Sequence, residues 1–547
     1  MAKVSGGQLV AMMLRAEGVQ SIFTLSGLHI APIYAGCVEE GIRVVDTRHE
    51  QAAAHAADAT ARLTRGVGVA VVTAGPGVTD ALTGIANANA ANVPVLLLGG
   101  AAPIANQSRG SLQEMEQVDL FTQITKWSDR VPSAELIPAY FAKAFRTMMS
   151  GRPGPVFLEL AWDVLLQQVN DPKIPDDYRT GAQAAGDPNY VAKAVELLGR
   201  AERPAIIAGS SIWWDDAATV LGELARYANI PVYLNGAGRG CLAPDHPLFF
   251  QHTRKAALSQ ADVVVVVGTP LDFRLGYGDA FRKDARLIQI DVDPTQIGRN
   301  RAVEVGIAGS SRLVLAQILG GLGTMPDRTG YVEDLREKER AKLERLSGNE
   351  TNGDTPIHHS RLAKELSDFA NEGDREPIFV ADGGNFVSMA AKSIRLKKPG
   401  SWLDPGPLGC LGVGAPFAIA AKLVHPDRPV FVIQGDGSFG LNGFDFETAV
   451  RFKLPMVVVV GNDAAWGQIR LPQIAMYGED KSPGTKLAPT RYDKVVEALG
   501  GWGKLVTEPD QIRPALEEAL ASNTVACVNV MIDPDAPAKS GMMGYAV

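Results

Sequence analysis

Two aspartates separated by a helix and a strand form the chemistry-bearing pair of this chain. Asp436 lies in Gln434-Gly435-Asp436-Gly437-Ser438, just after the apolar run Val430-Phe431-Val432-Ile433, and Asp463 follows a second apolar run over 455–460. Short apolar runs closed by turns fit strands buried on both faces. Between them, residues 442–451 carry Phe446, Ala449 and Val450 at helical spacing. Strand, helix, strand is a parallel unit, so both aspartates reach the same carboxyl edge of one sheet. That edge is where open α/β sheets bind ligands. Asp436 offers a hard oxygen there, Asp463 a second carboxylate, and the amides of Gly437 and Ser438 at a helix N-terminus face an anion. Mg²⁺ prefers a few carboxylate or carbonyl oxygens together with phosphate and water, so the pair implies a metal-bridged diphosphate.

The elements that must hold this pair recur along the chain. Over 1–170, helical patterns alternate with apolar runs at 21–24, 43–46, 68–72, 93–98 and 155–160, each closed by a turn or polar cluster. The pattern predicts a doubly wound domain. The proline-bearing polar stretch 167–188 reads as a linker. A second domain over 188–325 has runs at 204–209, 231–234, 263–268 and 287–292, the last closed by Asp291 and Asp293, where an acid can hold a ribose. A charged helix and second linker follow over 327–359. In the third domain, 356–547, the run 378–381 ends at Asp382-Gly383-Gly384-Asn385-Phe386, and the amides of Gly384, Asn385 and Phe386 can cradle a terminal phosphate. The fold class expected is α/β, with three doubly wound parallel-sheet domains. The tail 534–547, rich in Pro, Gly and Met, reads as a disordered end or a flap over the site.

At 547 residues the chain is too long for one core, and its 46% hydrophobic and 21% charged content is that of a globular protein. A net charge of −8 and a pI near 5.6 argue against nucleic acid or an anionic membrane as the main partner. The N-terminus reads as an amphipathic helix rather than a signal peptide, and there is no apolar stretch of about 20 residues to span a membrane, so a cytoplasmic location is expected. Cys37, Cys241, Cys410 and Cys527 are far apart and form no metal cluster; buried free thiols are expected.

Gly435-Asp436-Gly437 with Asn462-Asp463 resembles the thiamine diphosphate (ThDP) motif of the acetolactate synthase, benzaldehyde lyase and 2-hydroxyacyl-CoA lyase superfamily. DTRHEQAA, LDFRLGYG, WLDPGPLGCLGVG and GNDAAWGQI carry a narrower likeness to the acetolactate synthase large-subunit-like family. The family motif ends in Asn-Asn; Asp463 replaces the second Asn, and the added carboxylate should tighten divalent binding. The resemblance implies a metal held by Asp436, Asp463 and the carbonyl of Ala465. It implies that Glu50, in RHEQAAAHAADATAR, shares a proton with the cofactor's aminopyrimidine, a task suited to a carboxyl whose pKa an apolar site raises. Gly75 and Pro76, in GPGVTD, would lie beside that ring. Gln113, in GSLQEMEQVDL, and His29, in GLHI, would handle the substrate's proton and alkoxide. In PGPLGCLGVG the carbonyl of Gly409 would accept from the 4′-amino group and Leu411 would prop the cofactor into a bent shape by bulk alone. Gln468 and Ile469 are candidates for the pocket wall.

By this likeness the chain is expected to be a ThDP- and Mg²⁺-dependent enzyme that makes or breaks a C–C bond beside a carbonyl. Acetolactate synthase-like chemistry is the first reading; 2-hydroxyacyl-CoA lyase or benzaldehyde lyase-type carboligation of aldehydes is the second. A non-catalytic ThDP-binding subunit is the reading from another class, and an intact Glu50, Asp436 and Asp463 oppose it. The central domain of relatives holds FAD, or ADP and CoA, or nothing; Pro270 stands where FAD-bearing synthases carry Arg, which leans away from FAD. Partners implied are small-molecule carbonyl substrates and further copies of the chain, as a homodimer or homotetramer with sites at the subunit interface.

Overall fold

Apolar runs of Val, Ile, Leu, Phe and Ala become the inner strands of three parallel sheets. The computed structural model describes residues 3–536, so the tail 537–547, with most of the expected flap or disordered end, lies outside them. In the first unit β1 (Lys3–Ser5) pairs antiparallel with β8 (Gln168–Asn170), tying the start of the chain to the first residues of the expected linker. Between them lie β2 (Ser21–Thr24), β3 (Arg43–Asp46), β4 (Gly68–Val72), β5 (Val95–Ala101), β6 (Trp127–Val131) and β7 (Val156–Ala161), in the order β3-β2-β4-β5-β7-β6. The second unit contains β9 (Ala205–Ala208), β10 (Val232–Leu234), β11 (Val263–Val267), β12 (Arg286–Asp291) and β13 (Val305–Ala308), ordered β10-β9-β11-β12-β13. The third contains β14 (Ile378–Asp382), β15 (Trp402–Leu403), β16 (Val430–Gly435), β17 (Met456–Asn462), β18 (Trp502–Val506) and β19 (Val525–Met531), ordered β15-β14-β16-β17-β19-β18. All three sheets are parallel and wound in both directions, as expected.

The strands missing from the sequence reading are the short pair β1 and β8 and, in the parallel sheets, β6, β13, β15, β18 and β19. Trp-Ser-Asp-Arg-Val of β6 is polar because it is an edge strand, and β15 spans only Trp402–Leu403, too short to show a pattern. A second departure follows Asp436. The helix begins at once, over Asp436–Asn442, passes through a 3-10 turn at Gly443–Asp445 and resumes over Phe446–Arg451. Gly440 and Gly443 weaken a continuous helix there. The charged stretch before the third unit is a helix, Thr329–Glu350, that buries only Val332 and Leu335, as its composition implies.

The first and third units share a hydrophobic core. The helix Glu50–Thr64 lays fully buried Ala53, Ala57 and Ala61 against the helix Gly414–Val424, with Phe417 and Ala421 facing them. Small side chains let the two backbones approach closely. Polar groups fix the register: Arg62 Nε donates to Asp58 Oδ1 at 2.6 Å and Nη1 to the Asp404 carbonyl at 2.6 Å, while Asn87 Nδ2 donates to Asp58 Oδ2 at 3.1 Å. Three of the four cysteines, Cys37, Cys241 and Cys527, are buried free thiols; Cys410 is half-buried and also free.

Candidate functional site

From β14 the chain winds outward to β15, and from β16 it winds the other way, so the loops after these neighbouring strands open a crevice at the carboxyl edge. With the turn at 409–411 and the loop after β17 they line a cavity of 170 Å³. Gly384, Asn385, Phe386, Gly409, Leu411, Gly435, Asp436, Gly437, Ser438, Asp463 and Ala465 all border it, as do Gln468 and Ile469. Every residue that the sequence nominated in this unit therefore meets in one place. The helices Gly384–Ser393 and Gly467–Tyr477 start there without a side-chain cap, leaving first-turn amides to face an anion. Asn385 Nδ2 and Asp436 Oδ2 are buried with no protein partner. Asp436 and Asp463 share a side-chain hydrogen bond, and burial pushes both carboxyls above their ordinary range, with their mutual repulsion adding at Asp463. An orphaned donor, an orphaned acceptor and uncapped helix starts fit a diphosphate with a divalent cation. Among the described residues no group of three or more His, Cys, Asp or Glu forms a metal cage, so such a cation would lean on phosphate and backbone oxygens beside the two carboxylates.

Residues outside the sequence reading hold this edge in shape. Asp382, fully buried, accepts from Gly412 N at 3.0 Å, Gly414 N at 2.8 Å and Gln434 Nε2 at 3.2 Å. Its carbonyl takes a 2.6 Å bond from Ser438 Oγ, and Asn442 Nδ2 reaches the Gly412 carbonyl at 2.8 Å. One strand end thus ties the loops bearing Gly384, Leu411 and Ser438. Burial pushes the Asp382 carboxyl up to about 6. The available signal was a polar residue, Asp382 or Gln434, closing an otherwise apolar strand. Gly437 is needed because a Cβ there would come within 2.7 Å of the Trp466 ring.

A second cluster forms at the carboxyl edge of the first sheet. Glu50 opens its helix and is 6% exposed; burial raises its pKa. A Cβ on Gly77 would stand 3.3 Å from Glu50 Oε1, so the glycine turn packs directly on the carboxyl. Gly75 has φ +62°, and a Cβ there would meet the Gln113 carbonyl at 2.9 Å; Gln113 itself has φ +61°. Pro76 begins the next helix with an exposed ring. His29 Nδ1 lies 3.2 Å from Thr73 Oγ1, and burial lowers its pKa, favouring the neutral imidazole. Leu28 and Leu112 beside this cluster are 74% and 80% exposed. None of these residues lines the 170 Å³ cavity.

A larger cavity of 480 Å³ lies between the second unit, the helix Thr329–Glu350 and the helix Gly384–Ser393. Arg239, Arg254, Lys255, Lys342, Lys392 and Arg395 line it beside Tyr233, Phe249 and Phe250, and no Asp or Glu does. Burial lowers the pKa of Arg239, Arg254 and Lys392, the mark of cations held out of water. Asp291, the strand end expected to meet a ribose, instead accepts from Arg152 Nε at 3.0 Å and Nη2 at 2.5 Å.

Three doubly wound sheets, with an edge on the last whose residues fit a diphosphate, define a cofactor-dependent α/β enzyme. Residues 4–120, 191–318 and 382–530 match, in turn, the N-terminal TPP binding domain, the central domain and the C-terminal TPP binding domain of thiamine pyrophosphate enzymes. The chain belongs to the thiamine pyrophosphate-dependent enzymes, within the acetolactate synthase and 2-hydroxyacyl-CoA lyase group. It is 40% identical to the acetolactate synthase large subunit IlvG of Mycobacterium tuberculosis over 533 residues, 96% of each chain. It is 38% identical to human 2-hydroxyacyl-CoA lyase 2 over 564 residues, 94% of this chain and 87% of that one. The same enzyme of Caenorhabditis elegans is 37% identical over 586 residues, 97% and 90% of the two chains.

Proposed function

We propose that the protein cleaves or joins a C–C bond beside the carbonyl of an acyl-CoA thioester, using ThDP and Mg²⁺. Bound ThDP supplies the nucleophilic carbon and the electron sink for that bond. In this reading Asp436, Asp463 and the Ala465 carbonyl hold Mg²⁺, and the amides of Gly384, Asn385, Gly437 and Ser438 hold the diphosphate. Leu411, which lines the same cavity as Gly409 and Gly435, would support the bound cofactor by its bulk. Glu50, whose carboxyl burial raises above its ordinary range, would share a proton with the pyrimidine, beside which Gly75 and Pro76 would lie. His29, neutral and steered by Thr73, accepts or returns the substrate proton, and Gln113 donates to the developing alkoxide. Since Glu50 and Asp436 occupy separate edges, the working site joins the first unit of one chain to the third unit of another, as a homodimer or a dimer of dimers. Exposed Leu28 and Leu112 on one edge, and Leu408 and Ile469 on the other, suit that contact.

The basic, aromatic 480 Å³ cavity carries the choice of thioester. It shares the helix Gly384–Ser393 with the cofactor cavity, so a nucleotide phosphate handle could lodge there while the acyl end reaches the cofactor. The names of the human and nematode relatives point the same way; that of the mycobacterial relative favours acetolactate synthase-like chemistry, the first reading of the sequence, kept here as the alternative. The test is product analysis with ThDP, Mg²⁺ and either a 2-hydroxyacyl-CoA or pyruvate. An aldehyde released from the thioester is expected. Acetolactate from pyruvate, with the thioester untouched, would overturn this choice.

A further inference from the structure

We propose that Gln117 is a positioning residue that sets the spacing between Gln113 and Glu50, an inference resting on the catalytic reading of those two side chains. Gln117 is 1% exposed, and each of its amide atoms is committed. Its Oε1 accepts from Gly75 N at 2.9 Å; its Nε2 donates to the Gly100 carbonyl at 2.9 Å and to Glu159 Oε2 at 2.8 Å. Glu159, fully buried, fixes which way the amide faces, because its carboxylate only accepts; Arg130 Nε pairs with its other oxygen.

The group that Gln117 holds is unusual. Gly75 has φ +62° and ψ −111°, a conformation open to glycine alone, and it abuts Gln113, a non-glycine residue at φ +61°. Two strained backbones pressed together persist only where the surroundings over-determine them. Gln117 follows Gln113 by one short turn and pins Gly75 from behind. Two residues on, Gly77 rests against the Glu50 carboxyl. The chain of contacts therefore runs from Arg130 and Glu159 through Gln117 to the turn, and from the turn to both Gln113 and Glu50. A residue placed there for bulk alone would not need a buried carboxylate to orient it.

The test uses the full-length protein with ThDP and Mg²⁺. Gln117→Leu keeps volume and removes all three hydrogen bonds. It should lower kcat by roughly 10- to 100-fold while the ThDP dissociation constant, set by the third unit, moves less than about threefold. Combined with Gln113→Ala, it should add less than about twofold to the loss from Gln113→Ala alone, because both act through one contact. Fully additive losses, or an unchanged kcat in Gln117→Leu, would overturn the proposal. Hydrogen exchange across residues 73–80, measured without substrate, should rise at least about tenfold in Gln117→Leu, since the Gly75 amide loses its buried acceptor. This last readout is independent of the reaction, so unchanged exchange sinks the positioning role, whereas faster exchange in a protein inactive on every donor sinks only the functional reading. Should Gln117→Leu fail to fold, Glu159→Gln, which leaves Gln117 in place, must itself raise exchange at the turn; no change there would also overturn the proposal.

Discussion

At the scale of single residues, the carboxyls decide what the site can do. Glu50 sits at the start of a helix, where the dipole favours a charged carboxylate, yet burial against the glycine turn wins and raises its pKa. Glu50→Gln should lower turnover by about 10²-fold or more while ThDP and Mg²⁺ still bind, read by steady-state rates and cofactor-induced fluorescence quenching. Unaltered turnover would remove the proton-sharing role. Asp463 places a second carboxyl beside Asp436 at the edge of the third sheet. Asp463→Asn should weaken Mg²⁺ by roughly tenfold in a titration against activity, with ThDP dependence following it. The acidic pair was legible in the sequence because both residues end valine-rich strands one parallel unit apart. Gln117 and Glu159 were not, since a lone Gln or Glu is common, and only tertiary contacts reveal that these are buried.

At the scale of elements, the joint between the first and third units is polar at its rim and alanine-lined within. Asp445 accepts from Arg48 N at 2.8 Å across it, and burial pushes the Asp445 carboxyl up to about 7 from 3.8. A carboxyl raised in the folded state contributes stability at low pH and loses it as pH climbs toward its folded pKa. The wild type should therefore lose stability relative to Asp445→Asn between pH 4 and pH 7, by up to about 1 kcal/mol per pH unit, and the gap should level off above that. Melting temperatures of the two proteins across that range check the sign. The helix Glu50–Thr64 was visible from its spacing. Its alanines carried no sign of what they would face, because small residues suit many neighbours, and the helix Gly414–Val424 lies some hundreds of positions further on.

At the scale of the whole molecule, the three parallel sheets were readable wherever strands are buried on both faces and obscure at polar or very short edges such as β6 and β15. A site divided between two chains, as proposed, would make a strong demand. Glu50→Gln and Asp436→Asn should each be nearly inactive alone. Mixed and allowed to exchange subunits, they should recover about a quarter of wild-type activity, since about half the dimers are hybrids and each hybrid has one intact site of two. No recovery after verified exchange would place both groups in one chain and refute the shared site.

The helix Gly384–Ser393 runs from one cavity to the other, and ten residues of α-helix give it a length near 15 Å. Because so short a helix is stiff, it would act, on the thioester reading, as a yardstick between the acyl end and the phosphate end of the substrate. A thioester with a truncated arm would seat one end or the other, but not both at once. It should compete with the full-length compound for the enzyme yet turn over poorly.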